Sequence, residues 1–221
     1  MSDHLPVAER LRAFVLARTA PAKVPLAPEI VLLQAGELHV LWQAAEAEPP
    51  RWQDSPYWAF PWAGGQALAR YVLDHPALVQ GRRVADFATG SGLVAIAAAR
   101  AGAAEVLALD HDPFAEAAVA LNAERNGVKV RFRAGDALDQ RLPDVDVVLA
   151  GDVFYERGLA ERSLRWFATL AARGVRVLAG DACRTYAPRE DVTELAWYDV
   201  PTTTVIEAEP VRLARVLEIR P

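Results

Sequence analysis

From Val84 to Gly180, short apolar runs alternate with longer segments whose apolar residues recur at helical spacing. The runs at 83–87, 105–110, 128–133, 145–150 and 175–180 read as strands. The segments 91–101, 113–126 and 157–173 read as helices. Asp112 stands where a helix cap belongs, Pro113 suits the first helical position, and Gly127 suits the stop. Strands alternating with helices predict an α/β fold: a parallel sheet with helices on both faces. The end of the chain breaks this rhythm. Segments 194–201 and 211–220 have no convincing helix between them, so they predict an antiparallel pair.

The first quarter of the chain is patterned differently. Residues 3–18 predict an amphipathic helix with Val7, Leu11, Phe14 and Val15 on one face and Arg10, Arg12 and Arg18 on the solvated side. A Pro-rich connector (19–28) follows. Residues 29–43 read as two short strands around an Ala-Gly turn, and 44–56 as an exposed loop. The segment 57–76 opens on aromatic residues and enters a helix near Gly65. This divides the chain into an N-terminal extension of helix and β-hairpin, 1–56, and a main domain, 57–221.

Composition removes several function classes. The chain has 221 residues, 52% hydrophobic and 24% charged, the balance of a protein with a sizeable core. A formal charge of -5 gives no general attraction to nucleic acid or to an anionic membrane. No segment approaches the ~20 apolar residues of a membrane span. Neither nucleic acid nor membrane is therefore expected as a partner. The single cysteine, Cys183, excludes an intramolecular disulfide and reads as a small packing residue. With no signal-peptide pattern, a cytoplasmic location is the expectation. His4, His39, His75 and His111 are scattered away from any cysteine or carboxylate cluster, so no metal site is expected.

The chemistry concentrates after the first strand of the alternating region. Gly90-Ser91-Gly92-Leu93-Val94-Ala95 satisfies G-x-G-x-x-A between a strand and a helix. Glycines there let the backbone turn sharply and let a ligand approach without meeting a Cβ. Asp110 ends the next strand, where a carboxylate can accept hydrogen bonds from both ribose hydroxyls. On these features NAD and S-adenosylmethionine compete. Asp86 separates them. A carboxylate at the end of the first strand would repel a pyrophosphate but favours the sulfonium and α-ammonium of S-adenosylmethionine.

The stretch VADFATGSGLVAIAA resembles the first motif of the class I methyltransferases, D-x-G-x-G-x-G, with Asp86, Gly90 and Gly92 in place. Ala88 replaces the first glycine. LALDHDP resembles the acidic motif after the second strand, which makes Asp110 the ribose ligand. RAGDAL resembles the motif after the third strand, where Asp136 would face the adenine amino group; a helix cap is an equal reading of that aspartate. The resemblance implies a Rossmann-like, doubly wound, three-layer α/β/α fold: seven strands with the last antiparallel.

LAGDVFYE closes the fourth strand of that series, at the sheet edge where open parallel sheets bind ligands. It lacks the two prolines of enzymes that methylate base amines. Asp152-Val153-Phe154-Tyr155 fits the D-x-x-Y pattern of seven-strand protein lysine methyltransferases. PYWAFPWAGGQALARYVLDHP and the closing YDVPTTTVIEAEPVRLARVLEIR resemble the branch that methylates the β subunit of electron transfer flavoprotein. Bacterial members of that branch often carry nicotinamide N-methylase-like or ribosomal protein L11 methyltransferase-like labels. The resemblance spans residues 29–221 and implies S-adenosylmethionine as cofactor and a protein lysine as acceptor. Asp152 would orient the amine. Tyr155, Trp58 and Trp62 would wall the pocket by packing and cation–π contact, although core packing also accounts for Trp58, Phe60 and Trp62. The rival readings are a small-molecule N-methyltransferase, an NAD-dependent oxidoreductase and a non-catalytic nucleotide-binding module. Residues 1–56 discriminate the first: a lid over the pocket favours a small acceptor.

Overall fold

The computed structural model describes residues 6–48, 55–140, 142–202 and 209–221. The chain opens with α1 (Val7–Arg18), β1 (Ala20–Lys23), β2 (Val31–Gln34), α2 (Leu38–Ala47) and α3 (Ala63–Asp74). The alternating region follows as β3 (Arg83–Phe87), α4 (Leu93–Arg100), β4 (Glu105–Asp110), α5 (Pro113–Arg125), β5 (Arg131–Ala134), β6 (Val147–Gly151), α6 (Arg157–Ala172) and β7 (Arg176–Asp181). Strands β8 (Val192–Pro201) and β9 (Val211–Ile219) close it.

The main sheet has seven strands in the order β5-β4-β3-β6-β7-β9-β8. The pairs β3–β4, β3–β6, β4–β5 and β6–β7 are parallel, while β9 runs antiparallel to both β7 and β8. The predicted α/β sheet with its antiparallel last strand is therefore what the chain forms. The chain winds outward from β3 through β4 to β5, then returns to lay β6 on the other side of β3. That reversal leaves a crevice above the carboxyl ends of β3 and β6, the place where such sheets take ligands.

Residue pattern explains the central strands. Val84, Ala85, Val147, Val148, Leu149, Val177 and Leu178 are all buried, as strands covered by helices on both faces require. The Asp112 carboxylate accepts from the Phe114 N–H at 2.8 Å, Pro113 opens α5, and Gly127 turns the chain with φ +65°. The third strand of the series starts later than predicted, at Arg131.

The N-terminal reading needs correction. The predicted strands around the Ala-Gly turn are one strand, β2, followed by helix α2. Leu41 and Ala45 lie one helical turn apart and both are buried, the spacing of a helix face and not of a strand. The hairpin partner of β2 is β1, inside the predicted connector, with Ala20 opposite Gln34 and Lys23 opposite Val31. All four residues of β1 are exposed, so no apolar alternation announces it. The predicted loop at 44–56 begins as the last turn of α2, and 49–54 lie outside the described residues. Leu11, Phe14 and Val15 face the core as expected, but Val7 is exposed on the first turn of α1.

These elements pack onto the main sheet's outer layer. Leu11, Phe14, Leu33 and Leu41 share a core with Trp58, Phe60 and Phe114. Asn122 on α5 and Asn126 at its C-terminal cap, one turn apart, hold β2 in place. Asn126 accepts from the Val31 N–H at 3.1 Å and donates to the Val31 carbonyl at 2.7 Å. Asn122 accepts from the Leu33 N–H at 2.8 Å and donates to the Ser91 carbonyl at 2.8 Å.

Candidate active site

Three neighbouring strands end above the crevice in backbone that L-residues rarely adopt. Ala88 after β3, Asp152 after β6 and Cys183 after β7 have φ of +53°, +55° and +56°. A left-handed non-glycine residue costs roughly 1–2 kcal/mol, and such strain clusters at functional sites. Ala88 stands where the family motif has glycine, which is the residue this conformation favours. Cys183, read as a packing residue, is instead exposed at the end of β7.

Helix α3 closes the crevice from the side through a contact made of glycines. A Cβ at Gly64 would stand 2.5 Å from the Gly180 carbonyl oxygen and 2.7 Å from Asp152 Oδ2. A Cβ at Gly151 would stand 2.9 Å from the Gly65 Cα. The Gly-Gly pair after the aromatic cluster thus lets the first turn of α3 lie directly against the ends of β6 and β7.

Beneath this contact lies a cavity of about 350 Å³. Asp86, Ala88, Gly90, Asp110, Gly151 and Asp152 line it, with Trp58, Trp62, Tyr57 and Tyr155 on the aromatic side. A second cavity, of about 660 Å³, continues past Ala88, Asp110 and Tyr155 to Asp136 and Arg162. The structure therefore gathers every residue predicted for the site except Gly92 and Asp136 at the first cavity, and Asp136 at the second.

Gly92 acts from behind. It caps α4 with φ +80°, and a Cβ there would come within 3.1 Å of Val119 Cγ2. The Gly90 N–H donates to Asp110 Oδ2 at 2.8 Å, so the loop and the end of β4 are tied together. The other Asp110 oxygen accepts from the Asp112 N–H at 3.0 Å. His111 sits 3.6 Å from the same carboxylate, mostly exposed. Burial pushes the Asp110 carboxyl above its ordinary range.

Asp86 is buried at the end of β3. Thr89 Oγ1 donates to its Oδ2 at 2.5 Å, and the Ala95 N–H donates to the same oxygen at 3.0 Å. Burial nevertheless raises its carboxyl to about 7, outweighing both hydrogen bonds. A buried carboxylate lining a cavity is stabilised by a cation placed there. The indole Nε1 of Trp58 is also buried and has no hydrogen-bond partner among the described residues. Trp58 stacks on Phe114 at 5.8 Å, so core packing and cavity lining both hold for this ring. An acid that needs a cation, an unmatched N–H donor and a glycine loop fit the charge pattern of S-adenosylmethionine better than that of a pyrophosphate.

Asp152 lies across the cavity, 8% exposed. Its Oδ2 accepts from the Gly65 N–H at 3.0 Å, and its Oδ1 accepts from Arg184 Nε at 3.3 Å. Tyr155 is half-exposed at the rim and meets Tyr57 edge-on at 5.5 Å. Trp62 donates its Nε1–H to the Tyr57 carbonyl at 2.9 Å and packs edge-on against both Tyr57 and Phe60. Asp136 is a cap: its Oδ1 accepts from the Leu138 N–H at 2.9 Å, while Oδ2 pairs with Arg162 at 2.8 Å.

Three contributors escaped the sequence reading. Thr89 follows Asp86 at a spacing that allows a side-chain bond, a signal present in the sequence. Tyr57 shares the aromatic run that was noticed. Arg184 had no local signal, since its partner lies 32 residues away. Among the described residues, no group of histidine, cysteine and carboxylate side chains fits a metal ion.

Comparison with known proteins agrees with this geometry. The family profile of ribosomal protein L11 methyltransferases matches residues 67–152. The magnesium protoporphyrin IX methyltransferase of Synechocystis PCC 6803 has a similar fold, with a TM-score of 0.52 and 20% identity over 72% of this chain and 80% of that one. The electron transfer flavoprotein β subunit lysine methyltransferase of Mus musculus is 36% identical over 203 residues, 89% of this chain and 78% of the mouse protein. Its Xenopus laevis counterpart is 39% identical over 176 residues, 78% of this chain and 70% of that protein. Similarity of this extent shows that the chain belongs to the electron transfer flavoprotein β subunit lysine methyltransferase family.

Proposed function

We propose that this methyltransferase transfers the methyl group of S-adenosylmethionine to a lysine of the electron transfer flavoprotein β subunit. The observation that carries the cofactor assignment is the buried Asp86 carboxyl, raised to about 7 and facing a cavity. Bound there, S-adenosylmethionine supplies a methyl carbon activated by its sulfonium sulfur. Asp86 opposes the positive charge, Gly90 leaves the loop open, and Asp110 accepts hydrogen bonds from hydroxyl groups. Asp136 borders the second cavity and shares its carboxylate between a cap and Arg162.

The acceptor enters between Asp152 and the aromatic wall. A lysine has an ordinary pKa of about 10.4 and must lose a proton before its nitrogen can attack. An apolar wall of Tyr57, Trp62 and Tyr155 disfavours the ammonium form and packs along the side-chain stem. Asp152 orients the nitrogen; the chemical rate comes from alignment.

The rim supports a large acceptor. Tyr57 and Tyr155 are exposed at it, and of the described residues before Tyr57, Leu38 and Ser55 reach the cavities. Helix α1 packs instead against α5, where Arg12 pairs with Glu124 at 2.9 Å. A lysine on a folded surface fits such an opening; the small-molecule reading asks for a lid. A cytoplasmic location belongs to the same proposal. Incubation with methyl-labelled S-adenosylmethionine tests it. Label in the β subunit, stable to base, is the expected result. Label appearing in nicotinamide while the β subunit stays unlabelled would replace it.

A further inference from the structure

Asp152 poses an electrostatic difficulty for lysine methylation. An ionised carboxylate stabilises the ammonium form, which has no lone pair to attack with. Arg184 resolves it. This residue follows β7, and its backbone N–H donates to Asp181 Oδ1 at 3.0 Å. That bond and the left-handed Cys183 fix the turn from which the guanidinium reaches Asp152. Its Nε donates to Oδ1 at 3.3 Å, with the arginine side chain 20% exposed and the aspartate 8%. Both residues line the first cavity.

We propose that Arg184 is a positioning residue that offsets the charge of Asp152, so that the acceptor lysine meets a weaker negative field and reacts as the free amine. Arginine suits this task because it keeps its charge throughout the working pH range. A fixed cation next to an amine also lowers the amine's own pKa. The step then balances. The lysine ammonium gives one proton to water. Its nitrogen bonds to the methyl carbon as the carbon–sulfur bond breaks, and that electron pair stays on sulfur. The product is a methylated ammonium.

Other ionisable groups surround the pair. Asp86 faces the cavity from β3, and Asp110, His111 and Asp112 face it from β4 and the start of α5. Tyr57 and Tyr155 face it from the aromatic wall. On the β7 side, Asp181 is paired with Arg215 at 3.1 Å, and Arg212 donates to the Ala182 carbonyl at 3.3 Å. Cys183 adjoins Arg184, its thiol raised by burial. All are common to wild type and variants, so a difference between them isolates Arg184.

The inference rests on the lysine methyltransferase reading. Its test measures methyl transfer to the β subunit against pH for wild type, Arg184→Gln and Arg184→Lys. The acid limb of kcat, which reports the bound lysine, should move up by about one pH unit or more in the glutamine variant, with the rate recovering at high pH. The lysine variant should return the limb toward wild type. A second readout is calorimetry of β-subunit binding in two buffers of different ionisation heat, with S-adenosylhomocysteine present. Wild type should release a proton on binding at pH 8, and Arg184→Gln should release less. A rate lowered equally at every pH, or unchanged proton release, would overturn the proposal and leave Arg184 a structural tie. Failure of wild type to label the β subunit would remove the functional reading itself.

Discussion

At the scale of single residues, the site is governed by two aspartates in opposite circumstances. Asp86 is buried, with Thr89 and Ala95 donating to one oxygen, and its carboxyl sits near 7. Asp152 has an arginine beside it. The first awaits a cation; the second already has one. This difference makes a prediction about the cofactor. A cationic ligand favours ionised Asp86, so the proton that the empty site binds below about pH 7 must leave when the ligand arrives. Affinity for S-adenosylmethionine should therefore fall as pH drops through 7, by up to about tenfold per pH unit from this group. Asp86→Asn should bind about tenfold to a hundredfold more weakly at pH 8 and lose most of that pH dependence. Calorimetry at pH 6 and pH 8 checks it; a wild-type affinity unchanged between them would remove Asp86 from the cofactor's charged end. Asp86 was legible in the sequence because its motif is local. The Asp152–Arg184 pair was not, because only the packing of β6 beside β7 brings it together.

At the scale of elements, the glycine loop is held by what lies behind it. Asn122 joins three elements at one buried side chain: α5, the Leu33 N–H of β2 and the Ser91 carbonyl of the loop. Asn122→Ala should leave a buried donor and a buried acceptor unpaired, destabilising the fold by about 2–4 kcal/mol. Urea denaturation measures this, and a loss under about 1 kcal/mol would mean that water or repacking replaces both bonds. Strands β3, β4, β6 and β7 were readable because each buries a nearly unbroken run, whereas β5 buries none of its four residues and its start was misplaced. Strand β1 was unreadable because its four residues are exposed and its pairing is made by backbone alone. Helix α2 was mistaken for a strand because His39-Val40-Leu41-Trp42 carries β-prone residues. Only Leu41 of these four is buried, so tertiary packing overrode local preference.

At the scale of the whole molecule, the topology puts the chemistry where the chain reverses. Strands β3 and β6 are sheet neighbours though the chain visits β4 and β5 between them. Their ends carry Asp86 and Asp152, which line one cavity from its two sides. The antiparallel β9 adds Arg215 beneath β7, where it pairs with Asp181. On the proposed reading, β3 and β4 supply a cofactor half, and α3, β6 and β7 an acceptor half. The measurement that tests this account most directly is peptide mapping by mass spectrometry of purified electron transfer flavoprotein β subunit. The subunit is incubated with S-adenosylmethionine and either wild type or Asp152→Ala. The account predicts methylated lysine with wild type, and a loss of at least tenfold with Asp152→Ala at nearly unchanged cofactor affinity, from the loss of the group that orients the amine. An unmodified β subunit with wild type, or equal loss of cofactor binding and transfer in the variant, would contradict it.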